Sequence, residues 1–167
     1  MEASLPRPAT QGPGRTLGLD VGDRRIGVAI CDPDGRVAVP LRAIERDGRG
    51  GEFQAIDRIA REDEVTTVVV GLPLSLSGER GPQAQRTEEF ARELGERCHL
   101  PVVLWDERLS THEAERLRSA EPKGGRRPPR RTGRRERPER GEIDALAATI
   151  ILQAYLDSQR YRTSSEE

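Results

Sequence analysis

The sequence predicts an α/β domain whose core is a five-stranded mixed sheet flanked by helices. Two observations carry that prediction. Residues 16–41 hold three apolar runs joined by short turns rich in Gly and Asp, the pattern of an antiparallel meander. Residues 65–106 then hold two apolar runs separated by a stretch with helical spacing, the pattern of parallel strands reached through right-handed helical crossovers. A third observation concerns chemistry: Gly18-Leu19-Asp20-Val21-Gly22, Trp105-Asp106-Glu107-Arg108 and Glu142-Ile143-Asp144-Ala145 each set a carboxylate where an apolar element ends or begins.

Thr16-Leu-Gly-Leu-Asp-Val-Gly22 is continuous enough in apolar character for a central, buried first strand. Ile26–Cys31 is the second, and the Asp32-Pro-Asp-Gly35 turn leads into the third, Arg36–Leu41. Pro40 lacks an amide for the ladder, which puts that strand toward an edge. Glu52–Arg61 then spaces Phe53, Ile56, Ile59 and Ala60 as one helical stripe. Val65–Gly71 is a strand, Leu72–Arg80 a loop, and residues 82–97 a helix with Ala84, Thr87, Ala91 and Leu94 inward. Pro101–Asp106 is the last strand. Ser110 and Glu113 form a capping box that starts a helix running to about Ala120. Ile143–Leu156 is the final helix, predicted to face the core with Ile143, Leu146, Ala147, Ile150, Ile151 and Ala154.

The chain of 167 residues suits one domain and is short for two. Residues 1–14 read as a disordered arm, 15–157 as the domain with a basic loop at about 121–141, and 158–167 as a flexible tail. Cys31 and Cys98 have neither metal-ligand spacing nor a disulfide framework, and Cys31 reads as a small buried residue. His99 and His112 read as surface residues, since neither has a partner at useful spacing. No secretory signal is evident and no stretch reaches the ~20 apolar residues of a membrane span, so the expectation is a cytoplasmic protein without membrane contact. Net charge is −1, yet residues 123–140 hold Lys123 and eight arginines against Glu136 and Glu139, or +9 − 2 = +7, leaving −8 elsewhere. An acidic body with a basic loop suits a polyanion held near a metal. A plainer reading competes: Lys123 is the only lysine, so the arginine-richness partly reflects coding bias.

Like charges gathered in one site repel, so three converging carboxylates call for a cation among them. Hard divalent ions take oxygen ligands, which makes Mg²⁺ or Mn²⁺ the expected occupant. In an open α/β sheet the working crevice lies outside the carboxyl ends of the parallel strands. Asp20 and Glu107 stand at such ends, and Asp144 opens a helix, where free amides favour an ionised acid. Strand alternation sends Asp106 and Glu107 to opposite faces, so only one can join a given cluster. Each acid also has a plainer reading: Asp20 as a turn former, Glu107 as a partner for Arg108, Asp144 as a helix-start acid.

The strings Leu19-Asp20-Val-Gly22 through Arg25-Ile-Gly-Val-Ala29, Val69-Val-Gly-Leu-Pro73, Asp106-Glu-Arg-Leu-Ser-Thr111 and Ile143-Asp-Ala-Leu-Ala-Ala148 resemble the YqgF/RuvX family over residues 16–157. Members are described as Holliday junction resolvases or pre-16S rRNA nucleases with an RNase H-like fold. The resemblance implies that Asp20, Glu107 and Asp144 are the catalytic and metal-binding acids. The arginine-rich stretch 121–141 is the departure from the family pattern.

The reading that follows is a nuclease using two divalent ions about 4 Å apart, Asp20 bridging both while Glu107 and Asp144 each anchor one. Its partner would be nucleic acid, either pre-rRNA or branched DNA, recognised by backbone charge and shape because aromatics are few. Arg24, Arg25, Arg80, Arg86 and Arg108 are the candidates for phosphate contact, and the loop Gly71–Gly78 could line the groove. The expected state is a monomer or homodimer. Two rivals stand beside this reading: a non-catalytic nucleic-acid-binding module, and an actin-like phosphotransferase, for which the chain lacks room for the usual second domain.

Overall fold

The computed structural model describes residues 14–109 and 139–164. The strands β1 (Arg15–Val21), β2 (Arg25–Cys31) and β3 (Ala38–Glu45) are followed by α1 (Gly51–Glu62), β4 (Val65–Leu72), α2 (Pro82–Cys98) and β5 (Val102–Asp106). The last helix, α3, spans Arg140–Ser164. The sheet has the order β3-β2-β1-β4-β5, with β1–β2 and β2–β3 antiparallel and β1–β4 and β4–β5 parallel. Meander and crossovers are therefore as the sequence predicts, and β3 is an edge strand with Pro40 beside a register shift.

Local chemistry sets the element ends. Gly22 N–H donates to Arg25 O at 2.9 Å and closes the β1–β2 turn. Asp32 Oδ1 accepts from the amides of Arg36 and Val37, so those residues belong to the turn and β3 begins at Ala38, two residues later than expected. The strand also runs four residues further, to Glu45, because β2 offers ladder partners as far as Arg25. The backbone is already helical at residues 107–109. Asp106 Oδ1 accepts from Arg108 N–H at 3.0 Å and caps this helical turn. Ser110 and Glu113, the predicted helix to Ala120, His112, residues 1–13 and most of the basic loop lie outside the described residues.

Two apolar layers cover the sheet. On one face Phe53, Ile56 and Ile59 of α1 and Phe90 and Leu94 of α2 pack on Leu17, Leu19, Val28, Val68 and Val70. Fully burying such a side chain contributes about 1.5–3 kcal/mol each. On the other face Ala148, Ile151, Leu152 and Leu156 of α3 pack on Ala29, Cys31 and Val69. That second layer is unusually close. A Cβ at Gly18 would stand 2.6 Å from Leu152 Cβ, and one at Gly27 only 1.9 Å from the Asp144 carbonyl oxygen.

The close seat corrects the predicted face of α3. Ala145 and Ala148 sit against the sheet with Ile151, Leu152 and Ala154, whereas Ile143, Leu146 and Ile150 are about half exposed. Ala145 lies inward beside Gly27, while Leu152 and Ile151 fill the space left at Gly18 and Gly71. The helix is also longer at both ends than Ile143–Leu156. Glu139 N–H donates to Glu142 Oε2 at 3.2 Å while Glu142 N–H donates to Glu139 O, a reciprocal start three residues earlier. Beyond Leu156 the residues expected to fray are helical to Ser164, supported by Gln153 Nε2 donating to Asp157 and by the Asp157–Arg160 pair. Among the described residues no helix is long and apolar enough to cross a membrane.

Candidate active site

Asp20 and Gly27 are cross-strand partners, so Asp20 and the bare backbone of Gly27 share the face on which α3 lies. Because Gly27 has no side chain, the first turns of α3 descend onto β2 and carry Asp144 to the same edge. On the parallel side, Leu19 pairs with Val70 and Gly71 with Trp105, which sets Gly71 one rung beyond the Leu19–Val70 pair, level with Asp20. Glu107 lies over that glycine: its Oε1 would be 2.8 Å from a Cβ there, and Ile151 Cδ1 of α3 2.6 Å away. Two glycines, Gly27 and Gly71, thus make room for Asp144 and Glu107.

The acids feel one another. Burial, and then the negative charge of Asp144, raises the Asp20 carboxyl above its ordinary value. Burial, followed by the charges of Asp20 and Asp106, pushes Glu107 up to about 7. Among the described residues neither Asp20 nor Glu107 has a cationic partner. Asp144 differs: Arg25 Nε donates to its Oδ2 at 2.8 Å, with both side chains a little over a quarter exposed. It is the fifth residue of α3, so Glu142, and not Asp144, is the acid in the first turn. The expectation that the helix start holds Asp144 ionised is therefore replaced by a direct ion pair.

Asp106 points to the other face, as alternation requires, and is occupied by Arg108. That contact, with the Arg108 backbone amide, holds the Asp106 carboxyl below its ordinary value. Of the five arginines singled out, only Arg25 contacts one of the three acids. Arg24 is exposed in the β1–β2 turn and Arg80 pairs with Glu88 at 3.2 Å. Arg86 hydrogen-bonds Gln83 and lines a cleft of about 460 Å³ with Arg46, Arg49 and Glu52, on the α1–α2 side of the sheet. Arg108 is tied to Asp106, and its Nη1 reaches the Leu76 carbonyl of the Gly71–Gly78 loop at 3.5 Å. The sequence reading missed the Arg25–Asp144 pair and the glycine seats. The signal for the seats was present in Gly18-x-Asp20 and Gly27-x-Ala29, small residues alternating beside an acid.

The donor set suits a hard divalent cation: carboxylate oxygens only, two of them with pKa raised by burial and by the charge of neighbouring carboxylates. Yet among the described residues no group of three or more acidic, His or Cys side chains closes to metal-ligating geometry. Asp144 is turned to Arg25.

The sequence profile of the family described as "RuvX: Holliday junction resolvase" matches residues 14–158. The chain belongs to this family. A protein of Thermoanaerobacter pseudethanolicus named "Putative pre-16S rRNA nuclease" is 43% identical over 146 residues, spanning 87% of this chain and 98% of its own length. One of the same name from Geobacillus thermodenitrificans is 45% identical over 148 residues, 87% and 99% of the two chains. RuvC of T. thermophilus, solved with a Holliday junction substrate, superposes with a TM-score of 0.53 at 14% identity, covering 89% of this chain and 96% of that one. At that identity the similarity speaks for the fold, which is RNase H-like as the family resemblance implies.

Proposed function

We propose that this member of the family is a divalent-metal-dependent nuclease that hydrolyses phosphodiester bonds during 5′-end processing of pre-16S rRNA, in the cytoplasm. The observation that carries the proposal is the pair of carboxylates without a cationic partner among the described residues, Asp20 and Glu107, at one edge of the sheet with Asp144 alongside. Two adjacent acids whose charges oppose each other gain most from a shared cation, and a strand end open to solvent admits a phosphate. The names of the close relatives supply the RNA substrate.

Asp20, Glu107 and Asp144 would hold Mg²⁺ or Mn²⁺, which when bound activates water and stabilises the leaving oxygen. The protein's own part is positional. The strand tip fixes Asp20, the Gly71 gap fixes Glu107, and the seat at Gly27 fixes the main chain of Asp144. Ionised Glu107 is the ligand form, so loading demands that its proton leave. Arg25, Arg24 and the basic residues 123–140 supply positive charge for the polynucleotide backbone without reading bases. Arg80, Arg86 and Arg108 are engaged elsewhere and contribute less.

The family description favours a second reading, resolution of branched DNA, for which a homodimer would match the substrate's symmetry. Incubating the purified protein with Mn²⁺ and, in parallel, a pre-16S leader RNA and a four-way DNA junction decides between them. Cleavage of the RNA, abolished by EDTA and by Asp20→Asn, is the expected result. Cutting of the junction alone would reassign the substrate. Binding without cleavage under either metal would reduce the protein to a binding module.

A further inference from the structure

We infer that Arg25 is a place-holder for the cation. It binds Asp144 while the site is empty, releases it on metal loading, and then turns its guanidinium to a phosphate of the substrate. The inference rests on the metal-dependent reading above and deepens it, since it assigns a residue that governs loading of that site.

The geometry gives the reason. Arg25 opens β2 two residues before Gly27, so the alternation that aligns Gly27 with Asp20 sends Arg25 to the same face. The main chain of Asp144 cannot move toward or away from the sheet freely, because its carbonyl rests on the Cα of Gly27. Its side chain can still rotate. Asp144 is near enough to Asp20 to raise that carboxyl through its charge, yet its Oδ2 is spent on Arg25 Nε at 2.8 Å. A rotation about the side-chain bonds therefore decides whether Asp144 faces Arg25 or the other two acids. In the first arrangement the three acids do not form a ligand group, as observed. In the second, Arg25 is left with an unpaired charge at a partly exposed sheet edge, where a phosphate oxygen is its natural acceptor.

This arrangement makes Arg25 a competitor of the metal, and removing it has a consequence that a merely structural role would not have: metal binding improves. Full-length wild type, Arg25→Gln, Arg25→Lys and Asp20→Asn are titrated with Mn²⁺ by calorimetry, without nucleic acid, after thermal melts verify folding. Arg25→Gln should bind Mn²⁺ about two- to fivefold more tightly than wild type, the scale of a partly exposed ion pair. Arg25→Lys, a point charge without the planar fork, should fall between them and serves as the readout if the glutamine variant is unstable. Asp20→Asn should lose most binding. Unchanged or weaker Mn²⁺ binding by both Arg25 variants, with Asp20→Asn impaired, would overturn the place-holder while leaving the metal site standing. Normal Mn²⁺ binding by Asp20→Asn would instead remove the metal site itself.

The hand-over has its own readout. Binding of a 20-nucleotide single-stranded RNA is measured against salt in EDTA and in Ca²⁺. In EDTA, where Arg25 is held by Asp144, wild type and Arg25→Gln should share one salt slope. In Ca²⁺ the wild-type slope should be steeper by about 0.7, one phosphate contact on a single strand. Equal slopes in Ca²⁺ would show that the freed guanidinium does not reach the substrate.

Discussion

Gly27→Ala tests the seat on which the whole site depends. The new Cβ would lie 1.9 Å from the Asp144 carbonyl oxygen and 2.4 Å from its carbon, whereas real Cβ atoms essentially never come within 3.0 Å of a neighbour. The start of α3 must therefore lift by at least 3.0 − 1.9 = 1.1 Å. Backbone atoms, unlike the end of a long side chain, cannot yield locally, so α3 moves over several residues and takes Asp144 with it. Overpacking of this kind costs about 1–3 kcal/mol, which at ~2–4 °C per kcal/mol for a chain of this size lowers the melting temperature by roughly 2–12 °C. A displacement of about 1 Å at a reacting centre costs on the order of 100-fold in rate. Thermal melting and the Mn²⁺-dependent cleavage assay read both effects. Gly81→Ala, at a position with open space and an ordinary negative φ, is the control: as a lost N-cap glycine it should cost at most about 1 kcal/mol and leave cleavage unchanged. If Gly27→Ala melts and cuts like wild type, α3 does not sit on β2 at this point and the assembly of the site described here is wrong.

Three further outcomes follow from the same geometry. Asp20 and Glu107 titrate higher folded than unfolded, so the folded chain keeps protons that the unfolded chain has lost; stability of the metal-free protein should therefore fall as pH rises from about 4.5 through about 7. Glu107→Gln should flatten that fall in melts recorded across the range, and an unaltered pH profile would contradict the raised Glu107 pKa. Cleavage should move the opposite way, rising with pH up to about 7 as Glu107 ionises, and a rate independent of pH between 5 and 7 would argue against Glu107 as a ligand. Asp106→Ala removes both a helix cap and the partner of Arg108, with a loss of about 1 kcal/mol in chemical denaturation but cleavage retained within a few-fold; a loss of cleavage as large as that of Asp20→Asn would place Asp106 in the chemistry.

Much of this arrangement was legible in the chain, and the failures have definite causes. Asp20 ends a run too apolar to be anything but a central strand, and the direction of Asp106 followed from strand alternation, whereas Glu107 is already helical and owes its direction to the turn after β5. The face of α3 was misread because apolar residues surround that helix: Ile143, Leu146 and Ile150 make as good a stripe as Ala145, Ala148 and Leu152. The fit to glycines on a different part of the chain decided it, with Leu152 seated at Gly18 and the Asp144–Ala145 backbone at Gly27. The partner of Asp144 was hidden for a related reason, since Arg25 is 119 residues away and meets it only across the Gly27 seat. The Ser110 capping box lies outside the described residues, and the Asp106 cap on the helical turn at 107–109 went unread in the sequence. Contacts within a few residues were readable; those made by two elements choosing each other's surface were not.

Diffraction from crystals soaked in Mn²⁺, collected at the manganese edge, bears most directly on the central claim that one cation site gathers these acids. The account predicts anomalous density between the carboxylates of Asp20 and Glu107, at the ~2.1 Å oxygen distances of a small hard cation, with Asp144 rotated toward it and Arg25 released. Density elsewhere on the molecule, or none while Asp144 stays on Arg25 at saturating Mn²⁺, would contradict it.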